Sequence, residues 1–269
     1  MTSQNQAIKE FKTISGVTIS YILSGVHPTK KQKRSTIVLL HGAWSNSSVW
    51  LTLMKQLQGT YSFIAPDLRN RGSSSCGSMS IENCAEDLIE LLMHEKINDV
   101  ILVGNSFGSN VANKIVEQRK LQGSIRGLIL CSPLAGNTLK NKRWFQMLCM
   151  ALSFLVWPLP RCFPRKRMNY QHLQNDSEKW MWLHDVRGIH LRDFVSAARV
   201  MVNDTLNVEG AVPTILLCGT KDQFINHNLL KSLVQSERVR LECIQGHHLL
   251  MVHHAEKLLP FIEMIEKGI

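Results

Sequence analysis

A chain of 269 residues, 44% apolar and 19% charged, holds enough hydrophobic material for one large α/β domain or two small ones. It is too apolar to be a disordered tail. Its formal net charge of +10 and pI near 9.4 leave two readings open: a surface that attracts nucleic acid, anionic lipid or an acidic substrate, or a plain solvated surface.

The N-terminus, MTSQNQAIKEF, is polar and carries no basic-then-apolar leader. FKTI and VTISYIL, joined at Ser15-Gly16, predict a hairpin, and HPTKKQKR a charged loop. TIVLLHG reads as a buried strand ending in glycine, SVWLTLMKQL as helix and YSFIAPDL as strand. In SIENCAEDLIELLMHEKI the apolar positions 81, 84, 85, 88, 91 and 92 form one helical stripe. DVILVG (strand), VANKIVEQRK (helix) and RGLILCS (strand) follow, and later PTILLCG and VRLECIQ (strands) and LLMVHHAEKLLPFIEMIEK (helix). Continuous apolar strands alternating with helices predict a parallel sheet covered on both faces. In such sheets, ligands bind beyond the carboxyl ends of the strands.

Residues 137–205 break this rhythm. They hold no convincing strand, four of the six tryptophans, and eleven Lys/Arg against five Asp/Glu, so +6 of the +10 lies there. They are expected to form an inserted helical cap, with the core at 1–136 and 206–269. Within the cap, WFQMLCMALSFLVWPLP (144–160) carries no charge and has basic flanks. Seventeen residues is the lower limit for a bilayer span, and two prolines at one end argue against one. The run is read as a buried or pocket-lining helix, with a helix touching a membrane surface as the alternative. The seven cysteines include no C-x-x-C pair, and several sit in apolar runs such as LILCS and TILLCG. Those in the apolar runs read as small hydrophobes, and the scattered, odd-numbered set fits a reducing compartment, so the expected location is cytoplasmic.

Gly104-Asn105-Ser106-Phe107-Gly108 fits G-x-S-x-G between a strand and a helical pattern. A sharp strand-to-helix turn exposes the central hydroxyl beside a helix N-terminus, and the flanking glycines let neighbouring backbones approach. A serine needs a base, and the base an orienting carboxylate. Asp222 follows the strand TILLCG, and His247 follows VRLECIQ and Gly246, so three segments supply nucleophile, acid and base at one sheet edge. Asp204 is the rival acid. Of the neighbouring histidines, His253 and His254 fall in a helical pattern, and His248 is expected to point elsewhere at a tight turn. Oxyanion donors are expected from the N–H of Phe107 and, after TIVLLHG, of Ala43. His41 is read as a structural histidine bonded to loop backbone.

Together HGAW, PDLRNRGSS, GNSFG, GTKD and GHHLLMVHHAEKL, in that order along nearly the whole chain, resemble the α/β-hydrolase superfamily. The resemblance implies an eight-stranded, mostly parallel sheet with a helical cap after the sixth strand, and neither cofactor nor metal. It gives Ser106 as nucleophile, Asp222 as orienting acid, His247 as general base and acid, and Ala43 and Phe107 as oxyanion donors. Asp67 and Arg69 then brace the active-site edge. A serine, where dehalogenases and epoxide hydrolases of this fold have aspartate, implies acyl transfer: hydrolysis of a carboxylic ester or thioester with an apolar acyl group. GNSFG also resembles the elbow of hydrolases that cleave carbon–carbon bonds in ring-fission products, and a non-catalytic binding protein on the same fold is the third reading. Expected partners are a small acyl substrate and, through the basic, apolar cap, an anionic membrane surface in transient contact. No nucleic-acid module is recognisable.

Overall fold

The expected hairpin opens the sheet: β1 (Ala7–Lys12) and β2 (Thr18–Ser24) pair antiparallel with Ala7 opposite Leu23. The computed structural model describes residues 7–25, 34–57, 59–156, 191–248 and 255–268. Most of HPTKKQKR, the middle of the expected cap, and the segment holding His253 and His254 lie outside the described residues.

β2 turns the sheet over to β4 (Ser62–Pro66), again antiparallel. From there β4, β3 (Thr36–Leu40), β5 (Val100–Asn105), β6 (Ile125–Cys131), β7 (Thr214–Gly219) and β8 (Val239–Ile244) run parallel, in the order β1-β2-β4-β3-β5-β6-β7-β8. Eight strands, six of them parallel, confirm the expected sheet. The central strands read as unbroken apolar runs because both faces are covered. Val100 and Leu102 of β5 pack in one layer with Val111 and Ile115 of α3 (Phe107–Glu117). Ile101 and Val103 pack in the other with Ile262 and Ile265 of α7 (Leu259–Lys267). Trp50, in a 3-10 turn (Ser47–Trp50) leading into α1 (Leu51–Gln56), joins that second layer.

Helix α2 (Ile81–His94) starts where Ser80 accepts a hydrogen bond from the Asn83 N–H, an N-cap that satisfies one orphan donor of the first turn. All six positions of its predicted stripe are buried. Burial of one such leucine stabilises the fold by about 2 kcal/mol.

Between β6 and β7 the described part of the insertion is two helices, α4 (Lys142–Val156) and α5 (Leu191–Asn203), packed on each other. A short helix, α6 (His227–Lys231), lies between β7 and β8. No helix among the described residues is long and apolar enough to cross a membrane. Cys84, Cys131, Cys149, Cys218 and Cys243 are free, but Cys76 is disulfide-bonded. Cys131 and Cys218, in the apolar runs read as holding small hydrophobes, are free and buried, whereas the bond at Cys76, outside those runs, goes against the expected reducing compartment.

Candidate active site

Ser106 sits between the end of β5 and the start of α3 with φ 51° and ψ −114°. An L-residue is strained in that region, and surrounding structure must hold it there. Part of the restraint is the Ser106 N–H, which donates to the Cys131 carbonyl at the end of β6 (2.8 Å). The two glycines of the motif have distinct reasons. A Cβ on Gly104 would collide with the Gly108 carbonyl, and a Cβ on Gly108 with the Leu40 carbonyl at the end of β3. Ser109, next after the second glycine, fits because its hydroxyl lies 2.8 Å from the Gly104 carbonyl oxygen and 3.0 Å from that of Cys131. Its polar atom is therefore satisfied at complete burial.

Asp222 reaches the same edge from the turn after β7. Its Oδ1 accepts from the N–H groups of Phe224 (2.9 Å) and Ile225 (3.1 Å). Its Oδ2 lies 2.8 Å from Nδ1 of His248, and Nε2 of His248 lies 3.2 Å from Oγ of Ser106. Burial pushes the Asp222 carboxyl pKa up. The hydrogen bond and charge of His248, with the two backbone N–H groups, outweigh this and hold it below the ordinary value. An ionised carboxylate only accepts, so Nδ1 of His248 carries a proton, and in the neutral ring Nε2 presents a lone pair to the Ser106 hydroxyl.

The expected histidine is thus off by one: His247 is exposed and His248 is buried. Gly246 explains the difference. The backbone carbonyls of Gly246 and His247 press on Gly219, at the end of β7, so closely that a Cβ there would collide with both. The Gly246 carbonyl also accepts from Lys221 (2.9 Å). With residues 246 and 247 committed by backbone to the β7 turn, the next side chain is the one that enters the site. The rival Asp204 faces elsewhere and accepts from Asn110 Nδ2 (3.0 Å).

The loop after β3 passes beside the serine: a Cβ on Gly42 would lie 3.6 Å from the Ser106 Cβ. Ala43, next along that loop, is buried. His41 braces the loop as a structural histidine. Its Nε2 accepts from the Leu68 N–H (3.0 Å), so its Nδ1–H donates to the Gly42 carbonyl (2.7 Å). Burial is the main reason its pKa falls to about 4, and the nearby Arg71 adds to the fall. Phe107 is the first residue of α3, where an N–H has no partner within the helix.

PDLRNRGSS supplies the bracing expected of Asp67 and Arg69. Asp67 accepts from the Ser47 and Ser73 N–H groups, each at 2.8 Å. Arg69 forms a buried two-pronged pair with Asp87 of α2, at 2.8 and 2.7 Å. Arg71 was not singled out by sequence reasoning. Its buried guanidinium donates to the Ala43 carbonyl through Nε and to the Asp193 carbonyl of α5 at 3.2 Å, tying the loop after β3 to the insertion.

An apolar cavity of about 200 Å³ opens beside His248. α4 contributes Phe145 and Leu152, and α5 contributes Phe194 and Met201. Trp44 stacks on Phe194 (centroids 4.5 Å apart), and Phe224 meets the His248 ring edge-on at 5.1 Å. Apart from His248, no described lining residue is acidic or basic. Among the described residues, no group of three His, Cys, Asp or Glu is placed to hold a metal ion.

A parallel sheet carrying a hydroxyl, an imidazole and a carboxylate in one hydrogen-bonded line defines a class, the α/β hydrolases. Residues 37–260 match the Alpha/beta hydrolase family, and the chain belongs to that family. Among solved structures it is similar to a hydrolase from Pseudomonas aeruginosa PA01 (TM-score 0.74, 16% identity, 96% of this chain and 97% of that one). It is also similar to a thermophilic esterase from Thermogutta terrifontis (TM-score 0.72, 18% identity, 97% and 99%). These likenesses are of fold. An uncharacterised protein of Mycobacterium bovis is 30% identical over 111 residues, 40% of this chain and 30% of that protein. The match thus spans less than a third of this curated relative's length.

Proposed function

We propose that the protein hydrolyses a carboxylic ester or thioester with an apolar acyl group through an acyl-enzyme. The observation that carries this reading is the line from Ser106 through His248 to Asp222 at the mouth of an apolar cavity. His248 takes the hydroxyl proton at Nε2 as Ser106 attacks the acyl carbon. The N–H groups of Ala43 and Phe107 receive the oxyanion, and the N-terminal end of α3 favours its negative charge. His248 then protonates the leaving oxygen or sulfur. Water repeats the sequence on the acyl-enzyme and releases the acid. Asp222 keeps Nδ1 protonated and stabilises the charged imidazole.

In this reading residues 137–205 are a cap that sets specificity, over a core at 1–136 and 206–269. The cavity disfavours the carbon–carbon alternative. A ring-fission dienoate would bring a carboxylate into a lining without a cation, at a desolvation cost that nothing described there offsets. A binding protein has no need of an oriented base beside a strained serine. Hydrolysis of p-nitrophenyl acetate, butyrate and hexanoate, with a butyryl thioester and a dienoate, tests the proposal. A burst of p-nitrophenol followed by steady turnover of esters or thioester is expected. Turnover of the dienoate alone would favour the carbon–carbon reading.

A further inference from the structure

Helix α4 is apolar on both sides. Its inner side buries Cys149 and Val156, and Phe145 and Leu152 of that side line the cavity. Its outer side exposes Trp144, Met147, Met150, Phe154 and Leu155, with Phe154 77% and Leu155 72% accessible. Spacings of three and four place Trp144, Met147, Met150 and Phe154 on one stripe, with Leu155 at its edge beside Trp144's side of the helix. A surface helix normally turns polar residues outward, and a contiguous apolar patch rimmed by charge marks an interaction site. Here the outward polar residue of α4 is Arg143, at the end where Trp144 begins the stripe, with Lys142 half-buried beside it. Fifteen residues span about 22 Å at 1.5 Å per residue, too short to cross a bilayer and long enough to lie in its surface.

We propose that the outward face of α4 adsorbs on an anionic lipid surface, lying in the plane of the headgroups. The chain carries +10, and +6 of that lies in residues 137–205, including the KNKR run at the start of α4. An apolar stripe that begins at a cationic end, in a strongly basic chain, matches an anionic bilayer, whereas a second copy of this chain would bring like charge against it. Since the other side of the same helix walls the cavity, adsorption sets the cavity against the membrane. The inference goes beyond the hydrolase reading and does not depend on it.

The test is cosedimentation of the full-length protein with vesicles of phosphatidylcholine alone or with 40% phosphatidylglycerol, at low and high salt. We expect binding to the anionic vesicles, at least tenfold weaker binding to the zwitterionic ones, and release by salt. Met150→Glu/Phe154→Glu, at two exposed positions that do not line the cavity, should lower anionic-vesicle binding at least tenfold and leave hydrolysis of p-nitrophenyl acetate unchanged. Equal binding to both vesicle types would overturn the choice of an anionic surface. Absence of binding would overturn the proposal, whether the protein is monomeric or a dimer that the double variant separates. Sedimentation needs no catalysis, so failure of this inference and failure of the hydrolase reading are distinguishable.

Discussion

The carboxyl edge of the sheet and the two-helix insertion above it border the same cavity, but different constraints fix their residues. At the sheet edge nearly every position is dictated by backbone. Gly104 and Gly108 are set by collisions, Ser106 by a strained turn, Asp222 by two N–H donors, and His248 by the packing of Gly246 on Gly219. In the insertion, α4 and α5 meet through side chains, and their described cavity positions share only apolarity and size. A site built by backbone tolerates few sequences; a wall built of apolar side chains tolerates many. Chemistry is therefore expected to belong to the first region and selectivity to the second.

The sharpest way to break this contrast is at the edge itself. Ser106→Ala or His248→Gln should lower kcat for p-nitrophenyl butyrate by about 10³-fold or more. His247→Gln, one residue away and exposed, should leave it within about threefold. Circular dichroism of each variant checks that the fold is kept.

A second expectation concerns stability. Gly104→Ala and Gly108→Ala each drive a methyl into neighbouring backbone, and urea unfolding should register a loss of about 3 kcal/mol, at the upper end of overpacking costs. A change of similar size in the insertion should act on selectivity instead. Ala198→Phe, filling the cavity from α5, should reduce kcat/KM for the hexanoyl ester about 10–100-fold and for the acetyl ester by less than threefold. Equal losses on both esters would dissolve the distinction between the two regions.

The smallest effect is a pH dependence at the brace. Folded His41 has a pKa near 4, below its unfolded value of 6.5. The unfolded chain therefore binds a proton in that window that the folded chain refuses, and stability falls as pH drops from about 6.5 toward 4. Between pH 7.5 and 5.5 this contributes about 1 kcal/mol. His41→Gln should flatten the slope of unfolding free energy over that interval. An unchanged slope would place its origin elsewhere.

The strands, the α2 stripe, the turn at Ser106 and the place of Asp222 were legible because each leaves a local signature: an apolar run, a period of 3.6, a glycine pair, a carboxylate after a strand. Arg71 was not, because its role joins residues 43 and 193, far apart in the chain. Asp87 carried a faint signal, an acid among the buried positions of α2, and its partner Arg69 is 18 residues away. The choice between His247 and His248 was out of reach for a similar reason. It depends on the contact of Gly246 with a glycine 27 positions earlier, which no property of the GHH tripeptide reveals.

The central claim, that His248 activates Ser106 at this edge, is tested most directly by a fluorophosphonate probe followed by peptide mass spectrometry. The modification should appear on the Ser106 peptide of the wild type, persist in His247→Gln, and be lost in Ser106→Ala and slowed at least a hundredfold in His248→Gln. Labelling that survives His248→Gln and fails in His247→Gln, or that falls on another residue, would contradict the account.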